Sequence, residues 1–205
     1  PGAPADVLDA AKVALQLREM LTAVALKSFV KTSGGKGLHL SVPLNTPTDF
    51  DATKKFARTV AETLAKHWPQ RVTSRMSKSE RPGKVFIDWS QNTSHKSTVC
   101  VYSLRAQTQP TVSTPVRWEE LTEAVNTGQP DRLRFGPDET LDRVDRQGDL
   151  FAEVLTLRQY LPTKIATKPD NAAPADGDRL AAYRQKRRFE VTTEPPGGNA
   201  KGSAD

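Results

Sequence analysis

The stretch FVKTSGGKGLHLSVPL, residues 29–44, decides the fold of this chain. Glycines at positions 34, 35 and 37 separate two apolar runs and give the backbone the freedom that a tight turn needs. Beyond the turn, apolar and polar residues alternate, which places one set of side chains on a buried face: Leu38, Leu40, Val42 and Leu44. His39 and Ser41 fall on the opposite face. The stretch therefore predicts two antiparallel strands, and it disfavours a doubly wound parallel sheet.

Helix and strand patterns surround this hairpin. Apolar residues recur at steps of three and four over residues 6–24, and again through Phe56, Val60 and Leu64, which predicts a helix on each side. The segments KVFIDWSQN (84–92) and STVCVYSL (97–104) are typical of two further strands joined by a hairpin, and two short helices follow residue 117. Helices packed against a small sheet predict the α/β (α+β) class.

Composition narrows the class of protein. The 205 residues are 36% hydrophobic, and no run approaches roughly 18 consecutive apolar residues, so the sequence predicts no transmembrane helix. Cys100 is the only cysteine, which rules out a disulfide or a cysteine-based zinc site within the chain and favours a reducing compartment. Because Cys100 lies in the predicted strand 97–104, we expect its side chain to be buried.

The positive charge is concentrated in one region. The formal net charge is +6, and between residues 71 and 105 only Glu80 and Asp88 oppose a set of seven basic residues: Arg71, Arg75, Lys78, Arg81, Lys84, Lys96 and Arg105. A basic region of this kind is typical of proteins that bind nucleotides or nucleic acids. Solvated surface charges without a partner are the alternative.

Asp88 is the strongest single candidate for chemistry. In the predicted strand it shares a face with Phe86, and a carboxylate among apolar residues is costly unless it is paired or binds a metal. Two interpretations stay open at this point. Asp88 is either a metal ligand that projects from a sheet or a strand-end aspartate that caps the following turn.

The hairpin itself is the second candidate. Its glycine-rich turn could direct N–H groups at an anion, while Ser33 adds a hydroxyl, Lys36 a charge and His39 a ring donor. It is not a Walker P-loop, because a strand and not a helix follows the glycines. An ordinary glycine-rich turn remains the alternative interpretation.

Three segments together carry a family resemblance. In order, FVKTSGGKGLHL, SRMSKSERPGKVFIDWSQN and TVCVYSLRAQTQPTVSTPVRWEEL resemble the polymerase domain of bacterial DNA ligase D, of the archaeo-eukaryotic primase superfamily. The resemblance runs over about residues 1–149. It implies a primase-type palm, a small and mostly antiparallel sheet flanked by helices, incomplete at the N-terminus. It also implies a division of the chain into the C-terminal portion of that domain (1–162), a linker (163–177), a closing helix (178–190) and a flexible tail (191–205).

The resemblance also implies an activity and a site. A domain of this family adds NTP or dNTP to DNA ends during non-homologous end joining, with Mn²⁺ or Mg²⁺ positioning the triphosphate. Asp88 matches the third of the family's three metal-binding aspartates and is the implied catalytic and metal-binding residue. The implied nucleotide contacts are Ser33, Lys36, His39, Arg81, Gln91 and Arg105, and the expected DNA contacts are Lys78, Lys84 and Lys96. Further expected partners are Ku and ligase or nuclease domains, with no membrane, in the bacterial cytoplasm at the nucleoid.

One departure from the family limits this expectation. The family's first motif, Asp-x-Asp, should lie immediately before Pro1, and the chain does not contain it. Asp6 and Asp9 do not replace it, because they lie three residues apart on a predicted helix. We therefore interpret the chain as a fragment of a longer enzyme. The alternatives are a non-catalytic module that binds DNA or nucleotides or bridges DNA ends, and a basic α/β domain with a protein partner.

Overall fold

The computed structural model describes residues 1–162, and the predicted linker (163–177), closing helix (178–190) and tail (191–205) lie outside them. In chain order the helices and strands are α1 (Val7–Ala23), β1 (Phe29–Thr32), β2 (Leu38–Ser41), α2 (Phe50–His67), β3 (Val72–Thr73), β4 (Val85–Phe86), β5 (Leu104–Arg105), β6 (Thr111–Val112), β7 (Pro115–Val116), α3 (Trp118–Thr127) and α4 (Pro137–Gln147). Short 3₁₀ helices span Lys78–Glu80, Trp89–Gln91, Pro130–Leu133 and Ala152–Leu155. Within the described part of the chain, no helix is long and apolar enough to cross a membrane.

The predicted hairpin forms and organises the main sheet. β1 and β2 pair antiparallel with Phe29 opposite Ser41 and Thr32 opposite Leu38. β7 pairs antiparallel with the other edge of β1, so the strand order is β2–β1–β7. Two smaller sheets accompany it, a parallel β3–β4 pair and an antiparallel β5–β6 pair. This mixture of helices and a small, mostly antiparallel sheet confirms the predicted fold class.

Helix α1 is the centre of the core. Its N-terminus is closed by a capping box, in which Asp6 accepts from the backbone N–H of Asp9 and the Asp9 side chain accepts from that of Asp6. Both aspartates are therefore used as helix caps. One side of α1 packs against the main sheet and α3, in a cluster that includes Ala14, Val30 and Leu121. The other side packs against α2, β3 and β4, in a second cluster built from Ala10, Val13, Leu64, Val72 and Val85.

The two strands predicted over 84–92 and 97–104 are largely wrong. Only Val85–Phe86 pairs in the first segment, and only Leu104 joins a strand in the second, so the hairpin expected between them does not form. Asp88 ends the extended conformation, because its side chain accepts the Ser90 N–H and starts the 3₁₀ helix Trp89–Gln91. Cys100, expected to be buried, is exposed, since no sheet forms around it.

Candidate functional site

A cavity of about 740 Å³ opens between α1, α2, the β1–β2 hairpin and residues 85–99. This volume lies in the range that small-molecule sites occupy. Apolar side chains of α1 and α2 form part of its wall. Five of the residues singled out from the sequence line it together: Ser33, His39, Asp88, Gln91 and Arg105. The hairpin supplies the first two, so its register positions them.

The turn of the hairpin is held by its own serine. Ser33 Oγ accepts hydrogen bonds from the backbone N–H groups of Gly35 and Gly37, each at 3.2 Å. The Gly34 carbonyl accepts from Gln107 Nε2 at 2.9 Å and from Thr111 Oγ1 at 2.5 Å, which fixes the turn to the β5–β6 region. The first role of Ser33 is therefore to stabilise the turn. Lys36 lies exposed at the tip and does not line the cavity.

A buried lysine stands directly opposite His39. The register of β1 and β2 pairs Lys31 with His39, and Lys31 is only 4% exposed. Its Nζ lies 3.1 Å from His39 Nδ1, 2.9 Å from the Val99 carbonyl oxygen and 2.5 Å from Ser113 Oγ. Sequence reasoning missed Lys31. The signal was present, because a turn spanning residues 33–37 makes residue 31 the cross-strand partner of residue 39.

Burial and neighbouring positive charges set the protonation of this pair. Burial lowers the pKa of Lys31 to about 8, with Cys100 opposing and Arg105 adding to the effect. Burial also lowers the pKa of His39 to about 4, and the charges of Lys31 and Arg105 contribute. At neutral pH the lysine is therefore mostly charged while the histidine is neutral. Lys31 and Arg105 together make this side of the cavity electropositive, which suits a phosphate-bearing ligand.

Asp88 lines the same cavity and belongs to a small polar network. Its Oδ1 accepts from the Ser90 N–H at 3.2 Å and from Ser90 Oγ at 2.5 Å, and its Oδ2 accepts from Gln91 Nε2 at 3.0 Å. Lys96 Nζ donates in turn to Ser90 Oγ. Asp88 is thus the cap that one sequence interpretation expected, and it also lines the cavity. Its role as a metal ligand stays a prediction.

The described residues alone do not make up a metal centre. Across residues 1–162 there is no group of three or more His, Cys, Asp or Glu side chains that could hold a metal ion. Asp88 is the only carboxylate among the described residues that line the cavity. A two-metal site of the kind that catalyses phosphoryl transfer needs several shared oxygen ligands. We therefore derive no chemical step through a metal ion from these residues.

Comparison with known proteins identifies the family. The family model of the LigD primase-polymerase domain matches residues 1–151. This chain belongs to that family. The resemblance predicted from the sequence is thereby confirmed.

Named LigD proteins show the same relationship. The multifunctional non-homologous end joining DNA repair protein LigD of Mycobacterium tuberculosis is 39% identical over 195 residues, which are 95% of this chain and 23% of the relative. The multifunctional non-homologous end joining protein LigD of Pseudomonas aeruginosa is 41% identical over 115 residues, 56% of this chain and 13% of that protein. The chain thus spans about a quarter, or less, of the length of these relatives.

A solved structure supports the fold. The polymerase domain from Mycobacterium tuberculosis ligase D, in complex with DNA, matches with a TM-score of 0.69 and 42% identity. The match covers 75% of this chain and 52% of that one. This chain therefore has the expected primase-polymerase fold over the matched part.

The other predicted site residues do not line the cavity. Arg81 is held beside it, with its guanidinium 4.0 Å from the Phe86 ring centroid and Nη2 donating to the Met76 carbonyl at 2.8 Å. Lys78 is exposed and Lys84 is half-buried, both on the loop between β3 and β4. Their contacts with nucleotide or DNA stay predictions.

Proposed function

We propose that this chain carries the nucleotide-holding part of a LigD primase-polymerase domain, which adds NTP or dNTP to DNA ends in non-homologous end joining. One observation carries the proposal. A single cavity is lined by Ser33, His39 and Arg105 and also by Asp88 and Gln91. These residues come from separate segments of the chain, and their chemistry suits a nucleoside triphosphate.

The distribution of charge supports the proposed orientation of the triphosphate. Arg105 offers a guanidinium that can form paired hydrogen bonds with phosphate oxygens. Lys31 adds a buried positive charge, and Lys36 at the hairpin tip adds an exposed one. The phosphates would therefore lie on the hairpin side. The base and sugar would lie toward the apolar wall that α1 and α2 supply.

The LigD primase-polymerase family is in general metal-dependent, and we propose Mn²⁺ or Mg²⁺ for the complete domain. Asp88 would be one ligand, joined by carboxylates from the Asp-x-Asp motif that the resemblance expects before Pro1. Pro1 lines the same cavity, and the backbone of Gly2 is hydrogen-bonded to Lys84 at 2.8 Å and to Gly83 at 3.0 Å. Residues that precede Pro1 would therefore begin at the wall of the cavity that Asp88 also lines.

The test uses this chain extended upstream through the Asp-x-Asp motif that the family resemblance expects. We expect it to add nucleotides to the 3′ end of a DNA overhang in the presence of Mn²⁺, and we expect Asp88→Asn to abolish addition. The asparagine keeps an oxygen that can accept the Ser90 N–H, so the cap and the fold survive. Ser90→Ala is the matched control, because it removes the hydroxyl but leaves the carboxylate. Unimpaired addition by Asp88→Asn would show that Asp88 does not hold a catalytic metal.

A second candidate function is a non-catalytic DNA- or nucleotide-binding module that bridges DNA ends. The observation in its favour is that Asp88 is the single carboxylate among the described cavity residues. In that case the extended chain would bind DNA with a steep salt dependence but add no nucleotide. Lys78, Lys84 and Lys96 are the proposed DNA contacts. Ku and ligase or nuclease domains are the proposed protein partners, at the nucleoid in the bacterial cytoplasm.

A further inference from the structure

The buried ammonium of Lys31 has no carboxylate partner among the described residues. Its three contacts are His39 Nδ1, the Val99 carbonyl and Ser113 Oγ. An unpaired buried charge is costly, whereas a methionine of similar length would fill the same space without that cost. A buried ammonium at this position is therefore expected to have a role that an apolar side chain could not fill.

The hydrogen-bond partners of the Lys31 ammonium define what it does. An ammonium has three N–H donors and no acceptor. The Val99 carbonyl can only accept, so it takes one donor. Ser113 Oγ gives its own hydrogen to the Thr32 carbonyl at 2.8 Å, so it also accepts from Lys31. The third N–H is left for His39 Nδ1, which must then carry no hydrogen.

The consequence falls on the other ring nitrogen. With Nδ1 occupied as an acceptor, a neutral His39 carries its one hydrogen on Nε2. His39 lines the cavity, and the described residues provide no hydrogen-bond partner for Nε2. The His39 ring therefore presents its Nε2–H as a hydrogen-bond donor to a ligand in the cavity. The lowered pKa values of Lys31 and His39 agree with a charged lysine beside a neutral ring at pH 7.

We propose that Lys31 is a positioning residue that holds His39 in the tautomer protonated on Nε2, so that His39 donates to an anionic oxygen in the cavity. The tautomer follows from the contacts alone. The identity of the anion, a phosphate oxygen of the nucleotide, rests on the proposed function. Lys31 itself does not need to touch the ligand.

The protein contains an internal reference for this proposal. It has three histidines, His39, His67 and His95. His67 Nδ1 lies 2.9 Å from the Thr63 carbonyl oxygen, which can only accept, so His67 carries its hydrogen on Nδ1 when it is neutral. One spectrum of the whole chain should therefore show two opposite tautomers.

The experiment is NMR of the full chain with ¹⁵N-labelled histidine at pH 7, with His39→Gln used to assign the signals. In the wild-type chain, His39 should show a bare Nδ1 and a protonated Nε2. Lys31→Met should convert it to a mixture of tautomers, while Lys31→Arg should retain the wild-type tautomer because arginine can still donate. Lys55→Met, at an exposed position on α2, is the charge-loss control and should change nothing. A wild-type His39 protonated on Nδ1, or a Lys31→Met chain with an unchanged tautomer, would overturn the proposal.

Measurements of ATP binding test the proposed nucleotide site separately from the positioning of His39. Titration with ATP and Mn²⁺ should show affinity about tenfold weaker for His39→Ala, which removes one hydrogen bond to a charged group, and a smaller loss for Lys31→Met, in which only part of the His39 population still donates from Nε2. Lys31→Arg should recover most of that loss. If the tautomer shifts as expected but neither variant weakens ATP binding, the proposed nucleotide site is wrong while the positioning of His39 stands. If Lys31→Met does not fold, a His39 protonated on Nδ1 in the wild-type or the Lys31→Arg chain would still overturn the proposal.

Discussion

Replacing Gly34 by alanine should destabilise the hairpin in two separable ways. Gly34 has a φ of +68°, where any residue with a Cβ is strained by about 1–2 kcal/mol. The new Cβ would also lie 2.5 Å from Arg105 Cγ and 3.2 Å from the backbone nitrogen of Ser113. The Arg105 side chain can move, but Ser113 lies between β6 and β7, so its backbone cannot shift without moving those strands. The crowding should add about 1–3 kcal/mol. We expect a total loss of about 3 kcal/mol in the free energy of unfolding.

Gly128→Ala is the matched control. Gly128 has nearly the same φ, +67°, but its added Cβ would meet nothing within 4 Å. This variant should therefore lose only the conformational contribution, about 1 kcal/mol. Gly35→Ala is a second control, in the same turn but without crowding, because its Cβ would meet its nearest neighbour, Ser33 Oγ, at an ordinary 3.5 Å. It should leave stability within about 0.5 kcal/mol of wild type.

Urea unfolding followed by circular dichroism measures all three variants. With an m-value of about 2 kcal/mol per molar, the Gly34→Ala midpoint should fall about 1 M below that of Gly128→Ala. Because Arg105 must move away, ATP binding should weaken in Gly34→Ala and not in Gly128→Ala. Equal midpoints for Gly34→Ala and Gly128→Ala would refute the argument that crowding at the hairpin turn matters.

The remaining predictions concern pH and salt. Burial alone would raise the pKa of Glu120, but the hydrogen bonds from Arg143 at 2.6 and 2.9 Å help to lower that pKa below its ordinary value. Stability present at neutral pH is therefore lost as the pH falls through the lowered pKa, and Glu120→Gln should flatten that acid dependence of the urea midpoint. The pKa of Lys31 is about 8 in the folded chain against an ordinary 10.5, so the unfolded chain binds more protons between these values. Stability should rise across that interval, and Lys31→Met should remove the rise. For DNA binding, Lys78→Ala and Lys84→Ala should each reduce the slope of log affinity against log salt by about 0.9, whereas an unchanged slope would remove that lysine from the DNA contacts.

Periodicity made the hairpin and the long helices predictable. Alternation over residues 38–44 and a glycine-rich turn specify an antiparallel pair, and β1 and β2 form as expected. The first helix follows from its apolar spacing, and Asp6 caps it as an aspartate at that position should. These features depend on residues close together in sequence.

The segments around Asp88 show where prediction failed. Alternation over 84–92 indicated a strand, but the Asp88 side chain competes for the backbone N–H of Ser90 and starts a turn. Residues 90–98 are mostly polar, so they have little to bury against a sheet. Cys100 is consequently exposed. A local side-chain hydrogen bond outweighed the strand pattern.

The sequence by itself determined the hairpin, the helices that flank it, the family, and the types of residue in the site. Only the tertiary structure decided which of these residues share a cavity. It brought Asp88 and Arg105 to the same space as His39, and it buried Lys31 among acceptors other than carboxylates. The physical reason is that periodicity reports which face of an element is apolar. Burial, cross-strand register and hydrogen-bond satisfaction depend on what the rest of the chain packs against that face.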